Sequence, residues 1–197
     1  MDAHNLADLY DLPTLDWESV RHVMDGGVTQ APDSGGPNRH SSWLTTVDPD
    51  GAPHTTGVGA LWVDDAYWFQ TGQGTRKARN LAADDRCVIA TTSTTLPSLD
   101  LVVEGRAAAI TDDAAVRHIV DVLAGTWPLE AKGSHLYGPH APTAGPPPYT
   151  MFRIEPTRVF GLPGMPGMDT FDPAELPKAT RWDFETRVDG HTSGGEQ

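Results

Sequence analysis

Along most of this chain apolar and polar positions alternate with the period of a strand, and only three stretches carry a helical period. Ser42 to Val47, His54 to Val63 and Ala66 to Thr71 read as strands, joined by turns at Asp48-Pro49-Asp50-Gly51 and Asp64-Asp65. Arg86 to Thr92, Leu99 to Ile110, Tyr149 to Ile154 and Thr157 to Leu162 continue the series, and Ala179 to Glu185 supplies a last strand. Trp17, Val20 and Met24 fall on one helix face ending at Gly26-Gly27. A second helix is predicted over Thr75 to Ala83, with Ala78, Leu81 and Ala82 turned inward. A third starts at Thr111, places Val116, Ile119, Val120 and Leu123 together, and stops at Gly125. Between these lie the polar loop from Gly26 to His40, a long loop over 126–149 and a turn-rich break at GLPGMPGM. Many strands with few peripheral helices predict an α+β, mainly β, barrel-like domain.

The expected organisation is an irregular acidic head, helix and loop over 1–40, a barrel domain over 41–185, and a disordered tail over 186–197. At 197 residues the chain can bury one core unaided, and its 20 Gly and 17 Pro suit long loops around it. A net charge of −13 repels phosphate backbones and anionic headgroups, so neither nucleic acid nor membrane is expected as a partner. Cys87 is the only cysteine, no apolar run reaches the roughly 20 residues of a span, and the start lacks a signal-peptide pattern. These features predict a cytoplasmic protein.

Against that acidic background, FQTGQGTRKARNL (69–81) stands out. A strand ends at Thr71, Gly72 and Gly74 permit a tight turn, and a helix starts at or just after Thr75. Helix starts present unpaired N–H groups and the positive end of the dipole. Arg76, Lys77 and Arg79 add cations, so the segment suits a phosphate, with the Thr75 hydroxyl as a further donor. A solvated face of an amphipathic helix is the other reading. GxxxxGK[ST] and GxGxxG are both absent, which excludes a Walker loop and a dinucleotide fingerprint.

The order PHTTGVGALWVDDAYWFQTGQGTRKARNLAADDRCVIAT, DLVVEGRAAAITD, FRIEPTRVFGL and TRWDF resembles the pyridoxamine 5′-phosphate oxidase-like superfamily. More narrowly it resembles the actinobacterial flavin/deazaflavin oxidoreductases. The resemblance covers roughly residues 40–185, and TRKARNL followed by DDRC is its most specific piece. It implies a six-stranded split β-barrel, a homodimer, and cofactors in clefts between subunits. It also implies that Lys77, with Thr75, Arg76 and Arg79, holds the cofactor phosphate. Thr56, Gly57 and Val58, and Phe69, Gln70 and Thr71, would run beside the ring, with Arg181 and Trp182 approaching it from the C-terminal strand. Authentic pyridoxamine phosphate oxidases carry Arg and Lys along the second strand; here that strand reads HTTGVGALW, which argues against that substrate.

The implied activity is hydride transfer between coenzyme F420 and a small planar unsaturated substrate. FMN is the alternative cofactor, and a non-catalytic flavin or haem binder or ligand sensor the alternative class. F420 is preferred because RKxRNL resembles the deazaflavin branch and because three cations exceed the needs of one FMN phosphate; Arg39 and Arg86 are outlying contacts. His54 reads as an edge histidine. His135 and His140 have no cysteine partner, so no metal is expected. Trp62 and Trp68 read as core or dimer interface, and Cys87 as core. APTAGPPPY is a stiff candidate substrate wall, with Tyr137 or Tyr149 as a polar contact, and nothing in the sequence singles out a catalytic acid.

Overall fold

In the computed structural model of the protein, the described residues are 1–6, 14–26, 42–93, 99–122, 128–139, 144–164 and 178–184. The expected tail over 186–197, most of the 26–40 loop, Arg39, His140, and the Leu123–Gly125 helix end lie outside them. In chain order the elements are β1 (Asp2–Asn5), α1 (Trp17–Asp25), β2 (Ser42–Val47), β3 (Pro53–Val58), β4 (Leu61–Val63), β5 (Ala66–Gly72) and α2 (Arg76–Ala83). Then follow β6 (Arg86–Ser93), β7 (Leu99–Ala109), α3 (Asp113–Val122), β8 (Glu130–Lys132), β9 (His135–Tyr137), β10 (Tyr149–Pro163) and β11 (Thr180–Asp183).

Every strand pairing among the described residues is antiparallel. β2 lies between β3 and β6, β6 pairs with β7, β7 with β10, and β10 with β5. β5 pairs with β4, which continues β3 after Gly59-Ala60, so the strands run round a closed circuit. The expected strand from His54 to Val63 is therefore two strands broken at that pair, one bonded to β2 and the other to β5. Asp64 and Asp65, at φ 50° and 56°, make the two-residue turn between β4 and β5.

β10 is one strand where two were expected. Its register shifts between Pro156 and Arg158, so Pro156, which cannot donate a ladder hydrogen bond, sits at an irregularity rather than an end. Gly105 on β7 faces that point: a Cβ there would lie 2.4 Å from the Glu155 carbonyl oxygen. The head also departs from expectation, because β1 pairs with β11 along Asp2–Asn5.

Among the described residues, two apolar clusters hold the sheet. One lies inside the circuit and beneath α1, and joins Met24, Leu44, Phe69, Ile89, Val103 and Ile154. Trp17 of α1 closes it, with ring centroids 5.3 Å from Trp182 and 5.1 Å from Phe184. The other, on the outer side of β5 and β10, joins Trp68, Val116, Ile119, Leu136 and Met151 under α3 and β9.

Candidate functional site

The turn from β5 into α2 is built by its threonines and by a distant loop. Thr75 is the N-cap of α2, extended at φ −76° and ψ 154°, and its Oγ1 accepts from the Ala78 N–H at 3.4 Å. The same hydroxyl donates to the Gly72 carbonyl at 2.9 Å and lies 3.0 Å from Thr71 Oγ1. The Gly72 N–H donates to the Ala144 carbonyl at 2.8 Å, and a Cβ at Gly72 would stand 2.7 Å from that oxygen. Glycine at 72 therefore serves the approach of the 144–146 segment. At Gly74, by contrast, a Cβ would meet nothing within 4 Å, so the space over the helix start is open.

The three cations of α2 part company. Arg76 binds Asp48 in the β2–β3 turn through two contacts, one of them Nε to Oδ1 at 3.0 Å, and this holds the Asp48 carboxyl below its usual range. Arg79 turns back to donate to the Gly74 carbonyl at 2.5 Å. Lys77 is the one turned inward: it is 3% exposed, and burial pushes its ammonium below the ordinary 10.5. Asn80 ties α2 to β2 through Thr46 Oγ1 at 3.0 Å. Beside the helix start, Arg76, Arg79, Asn80 and Asp48 border an open cleft of about 420 Å³.

The other sequence-predicted residues divide by face. Gln70 and Thr71 adjoin the turn on β5, and the Gln70 Oε1 is buried with no hydrogen-bond partner. Phe69 is fully buried and stacks on Phe152 at 5.2 Å, so its ring belongs to the core. On β3, Val58 is buried, Thr56 lies opposite Leu44, and Gly57 lies opposite the 57%-exposed Trp43. Trp182 is 1% exposed beneath Trp17, and Arg181 donates to Asp183 at 3.0 Å. β11 pairs with β10 at Val159, whereas Thr71 pairs with it at Thr150, so Arg181 and Trp182 sit at the opposite end of β10 from the α2 turn.

Tyr149 is buried and its hydroxyl donates to the Pro139 carbonyl at 3.0 Å, which commits it to structure. Tyr137 stays half-buried under Lys132. Cys87 is buried, and its thiol is pushed up to about 12, chiefly by burial. Among the described residues no group of three or more His, Cys, Asp or Glu could hold a metal ion, and no helix is long and apolar enough to cross a membrane. Sequence reasoning missed the Arg76–Asp48 pairing, which no local spacing signals across 28 positions. It did flag the proline loop that reaches Gly72.

A sequence profile described as pyridoxamine 5′-phosphate oxidase matches residues 36–162. The chain belongs to the pyridoxamine 5′-phosphate oxidase family. No curated protein matches it. Solved structures of similar fold include the conserved hypothetical protein Rv2991 of Mycobacterium tuberculosis, at 18% identity and TM-score 0.54, covering 81% of this chain and 94% of that one. A Bacteroides thetaiotaomicron protein named for resistance to 5-nitroimidazole antibiotics matches at 11% identity and TM-score 0.51, covering 82% and 91%. A Listeria innocua protein named for pyridoxamine 5′-phosphate oxidase matches at 14% identity and TM-score 0.50, covering 74% and 96%. At these identities the likeness is one of fold, and it agrees with the mainly β, split-barrel expectation within this family.

Proposed function

We propose that the chain is an oxidoreductase that holds the phosphate of a flavin-type cofactor at the start of α2 and acts on a small planar unsaturated substrate. The carrying observation is Lys77, a buried cation in the first turn of a capped helix whose start is open at Gly74. A phosphate there would accept from the first-turn N–H groups and offset the burial of the ammonium. The Gln70 Oε1, buried without a partner, suits a ring N–H or ribityl hydroxyl. When bound, the flavin or deazaflavin ring supplies hydride transfer. The chain's own part is to bind and orient: Lys77 and the first-turn N–H groups fix the phosphate, Gln70 the ring, and Thr75 caps the turn that the 144–146 segment holds in place.

Of the three cations of α2 only Lys77 is turned inward, Arg76 reaching Asp48 and Arg79 the Gly74 carbonyl, and a single inward cation favours the compact phosphate of FMN. F420 is the second reading, favoured by the cleft between Arg76 and Arg79, where the solvent-screened Arg76–Asp48 pair can exchange for a tail carboxylate. Titration of the purified protein with FMN and with F420, followed by ring fluorescence, separates the two. Binding of F420 should weaken markedly at high salt. Binding of neither cofactor would overturn the proposal.

We further infer a homodimer through the outer face of the sheet. The paired row Gly57, Trp43, Ala90, Val102 and Phe160 is uncharged, and Trp43 stands 57% exposed on it. Light scattering should give twice the 21.2 kDa chain mass, and Trp43→Glu should give the monomer. A wild-type monomer at micromolar concentration would sink this part. The net charge of −13 supports cytoplasmic action on small molecules rather than on nucleic acid or membrane.

A further inference from the structure

A second cleft, of about 320 Å³, shares no residue with the α2 turn. It opens between α1, the β4–β5 turn, the middle of β10 and Phe184, and its size is near the lower end for small-molecule pockets. Trp17 and Phe184 form aromatic walls, and Trp62 lies on the inner side, 6% exposed. The Trp62 indole N–H is buried with no hydrogen-bond partner. So is the hydroxyl of Tyr67, directly across the strand pair from Trp62 and edge-on to it at 5.1 Å. Two adjacent orphaned polar groups are a cost that a native core rarely carries without a partner to relieve it.

The charge around the cleft is unbalanced. Glu18, Asp64, Asp65 and Glu155 line it, against Arg21 and Arg153. Arg21 binds Glu18 at 2.9 Å and faces Asp65 at 3.7 Å, while Arg153 pairs with Glu155. The lining therefore carries carboxylates in excess, and Asp64 has the His118 Nε2 beside it at 3.2 Å. Both turn aspartates hold left-handed backbone where Asn-Gly is the easier choice, so the turn keeps two carboxylates at the cleft at some conformational cost. Aromatic faces with surplus negative charge attract flat cations, and an unpaired indole N–H asks for an acceptor.

We propose that this cleft binds a small, flat heteroaromatic cation bearing one hydrogen-bond acceptor. The ring lies against Trp17 and Phe184, the carboxylates of Asp64 and Asp65 meet its charge within a lining that is acidic overall, and the acceptor takes the Trp62 N–H. The site goes beyond the cofactor reading and does not depend on it. Three probes share one ring and differ in charge: 1-methylnicotinamide is a cation, nicotinamide neutral and nicotinate an anion. Calorimetric titration of the full chain should rank the cation tightest and the anion weakest, with an indole N–H resonance shifting on binding. Asp64→Asn with Asp65→Asn keeps residues that tolerate the left-handed turn and should cut the cation's affinity about fivefold, leaving nicotinamide unchanged. Trp17→Leu should weaken the cation and the neutral probe alike. No binding of 1-methylnicotinamide at millimolar concentration, nicotinate binding as tightly as the cation, or undiminished cation preference in the double variant would each overturn the proposal.

Discussion

Replacing Lys77 with Met keeps the reach of the side chain and removes its charge. In the unliganded protein the ammonium is nearly enclosed, and burial works against its charged form. A phosphate at the start of α2 reverses that balance, because a charge-assisted hydrogen bond contributes about 1.5–3 kcal/mol. Lys77→Met should therefore lower cofactor affinity about 10- to 150-fold. Titration also gives a sign. The unfolded lysine ionises at its ordinary 10.5 and the folded one at a lower pH, so between the two the unfolded chain holds more protons. Unliganded stability should rise with pH across that interval, and the variant should lack the rise. Below the folded value both states are protonated, and the burial penalty is fully present. Calorimetric melts with and without cofactor, paired with fluorescence titration, measure both effects. Wild-type affinity in Lys77→Met, or an undiminished rise of its unliganded stability with pH, would refute the reasoning.

Other consequences are quickly checked. Gly72→Ala sets a Cβ 2.7 Å from a backbone oxygen and should cost about 1–3 kcal/mol, read as a lowered melting temperature. Cys87, buried with its thiol pushed up to about 12, should resist iodoacetamide at pH 8 until the chain is unfolded, as mass spectrometry would show. Arg86 hydrogen bonds hold the Asp84 carboxyl down to about 2, so its contribution is present above the ordinary 3.8 and is lost as pH falls through about 2. Asp84→Asn should flatten the acid side of the stability curve over that interval.

The elements legible in the sequence are those with one clean period. β2 alternates buried and open positions, and α3 buries Val116 and Ile119 three apart, so both follow from spacing alone. Where both faces are covered the period vanishes: β5 is buried at all but one of its positions, and no alternation says which side of Phe69 faces the circuit. This is why Phe69, a candidate ring contact, carries a side chain committed to the core, whereas Trp182, another, is buried on the inward face of the alternating β11. β1, β8 and β9 were invisible for another reason. They are short polar strands, drawn into extended backbone by partners far along the chain or just across a turn. The Thr75 cap was readable because helix-start chemistry is local. The destinations of Arg76 and Arg79 were not, because a cation's partner depends on what the fold brings near it.

The placement of β10 has a consequence for how the chain reaches its fold during synthesis. β5 and β7 each wait for this strand, and the pairs Phe69–Phe152 and Gly105–Pro156 join residues far apart in the chain. Until residues 149–163 have left the ribosome, the circuit is a gap between two unpaired strand edges, with Phe69 uncovered. A nascent chain halted before that point would offer those edges to its neighbours, and chaperone dependence should be greatest for truncations ending between β7 and β10.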